Sequence, residues 1–477
     1  MNRNKFLLDI RFWIVFLFVI RLFGITNPPL EVGHNWRQTT VAMVARNFLE
    51  VDNHILYPRI DIAGEKTGIT GMEFPLLNYL IYSVSEIFGY QHWYGRLINL
   101  IISSLGLWFF YKLVRKYFSE QTSFYSTVIL AVSVWFHFSR KIMPDTFSMS
   151  MVIACIYYGS NYLEFRKNQY LHLLGYLVIM VLGLLSKLPA GYLLIVFGIF
   201  FLNKEISILK KIIFSIVTLV GLIPVAAWYF YWVPHLVVEY GFWHFFMGNS
   251  IGQGFNEIIE NSGQTLGRFY NTALKYIGFA AFVFGLIISI IKKEWEIYAL
   301  FALTFMCFLI VVFKAGFTFA HHNYYIIPFV PVMALVAGYG LSKIKSQKIA
   351  LILLVAISIE GIANQHHDFR IKEKSEKILN LEKDLDTVSQ RSDLILINSG
   401  YYPTPMYFSH RKGWVNSNEK IEDEQYIEEL KKRGLKFIVI LKRSFGSEMQ
   451  LAKYEVVLEN EDYCIYKLNT SAALEKE

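Results

Sequence analysis

Hydrophobic and polar positions in this chain alternate on the scale of whole segments. Apolar runs able to cross about 30 Å of hydrocarbon as helices, some only by letting their ends snorkel, recur near 12–30, 93–112, 121–139, 146–163, 171–186, 188–203, 212–233, 270–291, 297–313, 324–342 and 349–364. They predict a polytopic α-helical membrane protein of about 11 transmembrane helices. The stretch 74–89 is shorter, begins near Pro75 and carries Glu86, so it reads as an interfacial or re-entrant helix. Counting it as a span would invert the orientation of everything after it.

From about residue 365 the pattern becomes that of a soluble domain. "IKEKSEKILNLEKDLDTV" has helical periodicity and "DLILIN" reads as a buried strand. "DEQYIEELKKRGLKFIVILKR" gives a helix, a Gly434 cap and a strand, and "YEVVLENEDYCIYKL" a hairpin. The expected organisation is a membrane domain over 1–364, with an outer loop 31–92 carrying interfacial helices, and a small α/β domain over 365–477. The second domain has neither a phosphate-binding glycine loop nor a nucleophile elbow.

Composition agrees with the pattern. Hydrophobic residues make up 54% of the 477, aromatic residues 17%, and mean hydropathy is +0.37, beyond what a soluble core requires. Cys155, Cys307 and Cys464 are scattered, which excludes a disulfide framework or a thiolate metal site. The +8 net charge does not imply nucleic acid, because the basic residues flank apolar runs and there set orientation. Arg3/Lys5/Arg11, Lys112/Arg115/Lys116, Arg166/Lys167, Lys204/Lys210/Lys211, Lys292/Lys293 and Lys343/Lys345/Lys348 all fall on one side. That side is cytoplasmic by the positive-inside rule. His34, His54, His92, His137, His235, His244, His321 and His322 sort to the other, so the chemistry is expected to face outward.

Six outer segments carry candidate groups. In "EVGHNWRQTTVAMVARNFLE", 31–50, an apolar stripe predicts a helix lying flat on the outer surface, with Glu31, His34 and Arg37 at its N-terminal end beside any bound headgroup; a purely structural interfacial helix would need only anchors, which Trp36 and Arg46 can be. Glu73 in "GMEFPLL" could ligate a metal, orient an acceptor hydroxyl or simply favour a helix dipole. Arg96, opening the second span, reads more readily as a snorkelling anchor than as a phosphate ligand. Arg140, Lys141 and Asp145 share one short turn, which sets a carboxylate opposite two cations. Lys187 lies in a turn between two short spans, drawn toward headgroup depth where a cation suits a phosphate ester. "HHNYYIIPFVP" leads His321, His322 and Tyr324 into a span; the two histidines point in different directions, and HxxxH spacing is lacking.

On these residues the layout resembles the GT-C glycosyltransferases, in the branch of the aminoarabinose transferases and protein O-mannosyltransferases. "RQTTVAMVAR", 37–46, is similar to the tail of that family's first outer-loop motif, "EFPLL" to its EKPPL element and "GRL" to its ARL. Asp145 matches its second-loop aspartate, "SKLP" its KGP turn, and "NYYIIPFVP" its HYxLPxxP. The resemblance implies transfer of a sugar from a polyprenyl-phosphate donor to a lipid, glycan or protein acceptor at the outer membrane face, with inversion. The resemblance implies a role for Asp145, which the chemistry makes the expected base; Glu31 or His34 could supply from slightly upstream the base missing at the family's acidic pair, and Arg37, Lys187, His322 and Tyr324 suit the donor phosphate. A divalent metal would be held by Glu73 and His321, while Gln38, Arg96 and Arg140 lie alongside. The family's acidic pair falls here on Arg37 and Gln38, and the lysine of EKPP is Phe74. Two other readings stay open: a lipid-linked-sugar flippase, which needs charges near the midplane of several spans, and a polymerase or ligase acting on polyprenyl diphosphates.

Overall fold

The computed structural model describes residues 8–165, 167–241, 248–445 and 449–468. Arg3, Lys5, Arg166 and His244 lie outside them. Each apolar run contains helix: α1 (Ile10–Leu22), α2 (Asn35–Glu50), α3 (Leu76–Phe88), α4 (Tyr94–Tyr117), α5 (Glu120–Val132), α6 (Val134–Phe138), α7 (Pro144–Glu164) and α8 (Gln169–Ser186) open the series. Six helices among the described residues are long and apolar enough to cross a membrane. They are α4, α8, Ile208–Tyr240, Trp295–Ala315, Asn323–Ser342 and Gln347–Phe369, and the bent pair Ser262–Ala273 with Lys275–Ile291 makes a seventh. The expected count of about 11 is therefore not reached on length and composition. α1 stops at Leu22, Ser133 separates α5 from α6, α7 is more polar, and 188–202 is a 3-10 segment followed by a short helix.

The bundle packs through small residues, as helices without a water-driven force between them do. A Cβ on Gly338 would fall 2.1 Å from Ser126 Oγ, and one on Gly285 2.1 Å from the Val336 carbonyl, so these backbones touch. Asn323–Ser342 is the central helix, with 89% of its apolar window buried against 22% for Trp295–Ala315. Basic residues gather at one end of the bundle. There Lys116 pairs with Glu164, Lys343 with Glu294, and Lys210 binds the carbonyls of Tyr162, Leu163 and Phe165.

The C-terminal domain follows its sequence pattern, with β1 (Leu394–Ile397), β2 (Gly413–Val415), β3 (Leu435–Leu441), β4 (Glu455–Glu459) and β5 (Tyr463–Lys467) in the order β2-β1-β3-β5-β4. β1 runs parallel to β2 and β3, while β5 is antiparallel to β3 and β4. The short β2 was not foreseen, since three residues carry too little alternation to register.

This domain overturns the expectation for α2. The helix does not lie flat on an outer surface; residues 37–48 are all buried, between α3 and the C-terminal domain. Arg46 is no membrane anchor: it bonds Asp61 at 2.9 Å and the Tyr407 carbonyl at 3.0 Å, and stacks 4.6 Å above the Tyr407 ring. The outer loop also closes the free edge of β2, where Gly64 N–H donates to the Gly413 carbonyl and Gly413 N–H to that of Asp61. An amphipathic pattern tells which face is buried, but α2 has partners on both.

At the far end of α2, His410 bridges Glu50 at 2.6 Å and Glu382 at 2.8 Å, and Arg391 also reaches Glu382. Burial alone would lower the imidazole, but hydrogen bonds to Glu382 and Glu50 raise it above its ordinary value. His410 in turn holds the Glu382 carboxyl at about 2. The histidine's contribution is complete below its unfolded value of about 6.5 and disappears as pH rises through its raised folded value. The glutamate's is present above about 4.3 and disappears as pH falls toward 2. Hydrogen exchange over 404–413, corrected for intrinsic rates, is expected to show greatest protection near pH 5–6, and His410→Gln should remove its decline above neutrality. A flat wild-type profile would show that the bridge does not hold the domain.

Candidate active site

At the end of the bundle opposite the lysines, three local structures bring charged groups together. α7 begins with Pro144 at its first turn, where a missing N–H costs nothing, and Asp145 follows at the positive end of the helix dipole. α8 ends at Lys187, whose extended backbone passes into the turn before Pro189. Ser148, one turn beyond Asp145, donates to the Gly183 carbonyl at 2.7 Å and to that of Lys187 at 3.2 Å, which fixes this turn against α7. Glu73 is delivered by the segment before α3: Phe74 N–H donates to the Leu185 carbonyl, and Trp228 Nε1 to that of Met72.

The result is a chain of alternating charge. Arg37 Nη2 lies 2.6 Å from Glu73 Oε1, Lys187 Nζ 3.7 Å from the same oxygen, and Lys187 Nζ 3.0 Å from Asp145 Oδ1. All four side chains are buried or nearly so. Asp145 Oδ2 is buried and has no hydrogen-bond partner among the described residues. A small cleft opens there, lined by Asp145, Lys187, Ala190, Tyr324, Tyr325 and Pro328. Lys187 sits 5.2 Å from the centre of the Tyr324 ring and 5.9 Å from that of Tyr325. His34, in the left-handed conformation at φ 59, bonds Asn323 through Nε2 at 2.6 Å. Its ring lies 5.0 Å from Tyr324 and 6.0 Å from His322. Burial holds its imidazole below the ordinary histidine value, with the Asn323 bond opposing in part.

The other candidates stand in a different cluster. Glu31 is fully buried and ion-paired to Arg140 at 2.7 Å, to Arg96 at 3.4 Å and closely to Lys141. Burial would raise its carboxyl, yet Lys141, Arg96 and Arg140 outweigh that and hold it at about 2. Arg140 and Lys141 thus face Glu31, and the cation opposite Asp145 is Lys187, correcting the pairing expected within the 140–145 turn. Arg96 does not snorkel; it is fully buried and also binds the carbonyls of Ile25, Asn27 and Pro28. Gln38 accepts from Arg96 and from the Ile142 N–H. Arg140 caps the end of α1 through the carbonyls of Arg21, Phe23 and Gly24.

His321 is exposed, bonded to the Phe317 carbonyl and stacked on its ring, so it does not join Glu73 in a metal site. Glu73 is engaged by Arg37 and Lys187, and no group of three His, Cys, Asp or Glu able to hold a metal occurs among the described residues. The donor set present here does not fit a resident divalent ion. Tyr325 was the residue missed: it adjoins Tyr324 in "NYYIIP", and only the turn of the chain there shows that both rings face the cleft.

Residues 73–232 match the dolichyl-phosphate-mannose-protein mannosyltransferase family. No protein of curated function matches the sequence. The fold is similar to that of ArnT from Cupriavidus metallidurans bound to undecaprenyl phosphate, with TM-score 0.59 and 11% identity over 97% of this chain and 98% of that one. The Archaeoglobus fulgidus oligosaccharyltransferase in its apo form matches at TM-score 0.55 and 12% identity over 90% of this chain and 69% of its own. The arabinofuranosyltransferase AftD from Mycobacteria matches at TM-score 0.50 and 10% identity over 96% of this chain and 41% of that one. The matched segment carries Glu73, Asp145 and Lys187, and the fold is similar to that of these transferases over nearly the whole chain.

Proposed function

We propose that the protein transfers a sugar from a polyprenyl-phosphate donor to an acceptor hydroxyl, with inversion, at the outer face of a bacterial cytoplasmic membrane. One observation carries this reading: at the cleft and beside Lys187, Asp145 has a buried carboxylate oxygen with no hydrogen-bond partner among the described residues. The acceptor hydroxyl gives its proton to Asp145 Oδ2 while its oxygen attacks the anomeric carbon from the face opposite the phosphate. The C–O bond to the phosphate breaks and its electron pair leaves on the polyprenyl phosphate. Lys187, with Arg37 behind Glu73, neutralises that growing charge. Tyr324 and His322 border the donor, and His34 positions Asn323 and Tyr324.

The basic end of the bundle supports placing the cleft and the C-terminal domain outside. Counting the shorter and broken apolar runs as spans gives eleven and sets both on that side. The test is to incubate detergent-purified protein with a panel of polyprenyl-phosphate and polyprenyl-diphosphate sugars and to follow release of the free lipid phosphate. Turnover of monophosphate donors is expected; turnover of diphosphate donors alone, or vesicle transport without a transferred product, would replace this reading. Lys187→Ala should weaken donor binding by about 1.5–3 kcal/mol, the usual range for a hydrogen bond to a charged group, measured by titration with the lipid phosphate. An unchanged affinity would remove Lys187 from the donor site.

A further inference from the structure

α8 ends beside the cleft, and the last carbonyls of a helix have no N–H to accept from within it. Two of them, those of Leu184 and Leu185, accept from the hydroxyl of Tyr229 at 3.3 and 2.7 Å. The Leu185 carbonyl also accepts the Phe74 N–H at 3.1 Å. One oxygen therefore joins the segment that delivers Glu73, the turn that delivers Lys187, and a side chain from a third element. On the far side of Lys187, the Leu188 backbone hydrogen-bonds to Tyr229 as well. Tyr229 is fully buried and does not line the cleft.

Tyr229 reaches this point because the helix carrying it is irregular. Ile208–Ala226 passes into a π-helical segment, Ala227–Trp232, ahead of Pro234, which has no N–H for the helical ladder. Single π-helical turns are rare and occur frequently at functional sites. Here Trp228 and Tyr229 both turn inward, while Phe230 and Tyr231 are 68% and 69% exposed. From the same segment Trp228 Nε1 donates to the Met72 carbonyl, beside Glu73, and Trp232 Nε1 to that of Leu56, farther along the outer loop.

We infer that Tyr229 is a positioning residue for Lys187. Its hydroxyl holds the backbone on both flanks of that lysine, and so sets the place from which the ammonium meets the donor phosphate. The inference rests on the reading of Lys187 as a ligand of that phosphate. Ser148 fixes the same turn from the side of α7, so without the hydroxyl the turn is still held there and becomes loose on the side of the π-helical segment.

The test is a double-substitution cycle on the full chain in detergent, titrated with polyprenyl phosphate. Tyr229→Phe keeps the ring and is expected to weaken binding about threefold to tenfold, the worth of one ordinary hydrogen bond. In protein already carrying Lys187→Ala, the same change should alter affinity by less than about twofold, because the group it places is gone. Replacing Tyr229 by 4-aminophenylalanine, which donates from the same position, should restore wild-type affinity. Trp232→Phe is the control: it removes a bond of the same segment, to Leu56, and should lower the melting temperature without changing affinity. Equal losses in both backgrounds, no loss from Tyr229→Phe, failure of the amine to restore binding, or a matching loss in Trp232→Phe would each overturn the inference. If Lys187→Ala lowers affinity and Tyr229→Phe does not, the donor reading stands without this one; if Lys187→Ala changes nothing, it is the donor reading that has failed.

Discussion

Asp145→Asn is expected to lower sugar transfer by about 10²–10⁴-fold, the usual contribution of a general base, while donor lipid phosphate binds at least as tightly as before. The two halves of that result follow from different features of the same carboxylate. Arg37, Glu73, Lys187 and Asp145 form a row of two cations and two anions, so an incoming phosphate meets a site without excess positive charge. Removing one anion makes the row net positive and should favour the phosphate. Asparagine is nearly isosteric, and its carbonyl oxygen can still accept from Lys187 in place of Oδ1. Asp145 Oδ2 makes no hydrogen bond among the described residues, so the substitution breaks none at that oxygen. What disappears is the group able to take the acceptor's proton. Single-turnover transfer and lipid phosphate titration on the same preparation separate these effects. If donor affinity falls in step with the rate, Asp145 serves to position Lys187, and the base must be sought elsewhere, with His34 next in reach of the cleft.

Much of the fold was legible because its determinants are local or periodic. The apolar runs became helices, and Gly434, at φ 97, closes the helix before β3 where the sequence placed a cap. Asp145, Lys187 and Tyr324 could be picked out because polar groups at the mouth of a span are conspicuous. Which charge meets which was not legible. Arg140, Lys141 and Asp145 are close neighbours in sequence, yet α7 begins between them and turns Asp145 toward Lys187 while the two cations reach back to Glu31. That choice is made by helix direction, and residue spacing does not record it. The burial of α2 was hidden for a similar reason, since its second face is covered by a domain more than 300 residues away in the chain.

Glu31→Gln is expected to act on stability rather than on chemistry, and its effect should be among the largest of any single substitution outside the apolar core. The carboxylate is completely buried and is the shared counter-ion of Arg96, Arg140 and Lys141. Breaking a buried ion pair by removing one partner costs about 3–5 kcal/mol, because the charges left behind have lost their compensation and remain out of water. Arg96 and Arg140 keep their carbonyl partners at the end of α1 and in the following loop, so those two guanidiniums stay in place and stay charged. Lys141 has the softer response: burial opposed in part by Glu31 already sets its ammonium at about 8, and without the carboxylate it should fall further and become neutral. The variant should therefore unfold at lower temperature in detergent, less so at pH 8.5, where neutralising Lys141 relieves part of the repulsion, than at pH 6.5. In wild type the same carboxylate, held at about 2, contributes stability above its unfolded value of about 4.3 that is lost as pH falls toward 2. Per folded molecule, the Glu31→Gln protein should keep most of its transfer rate at low temperature. A variant that melts like wild type and yet fails to transfer sugar would place Glu31 in the chemistry and merge two clusters that the ion pairs keep apart.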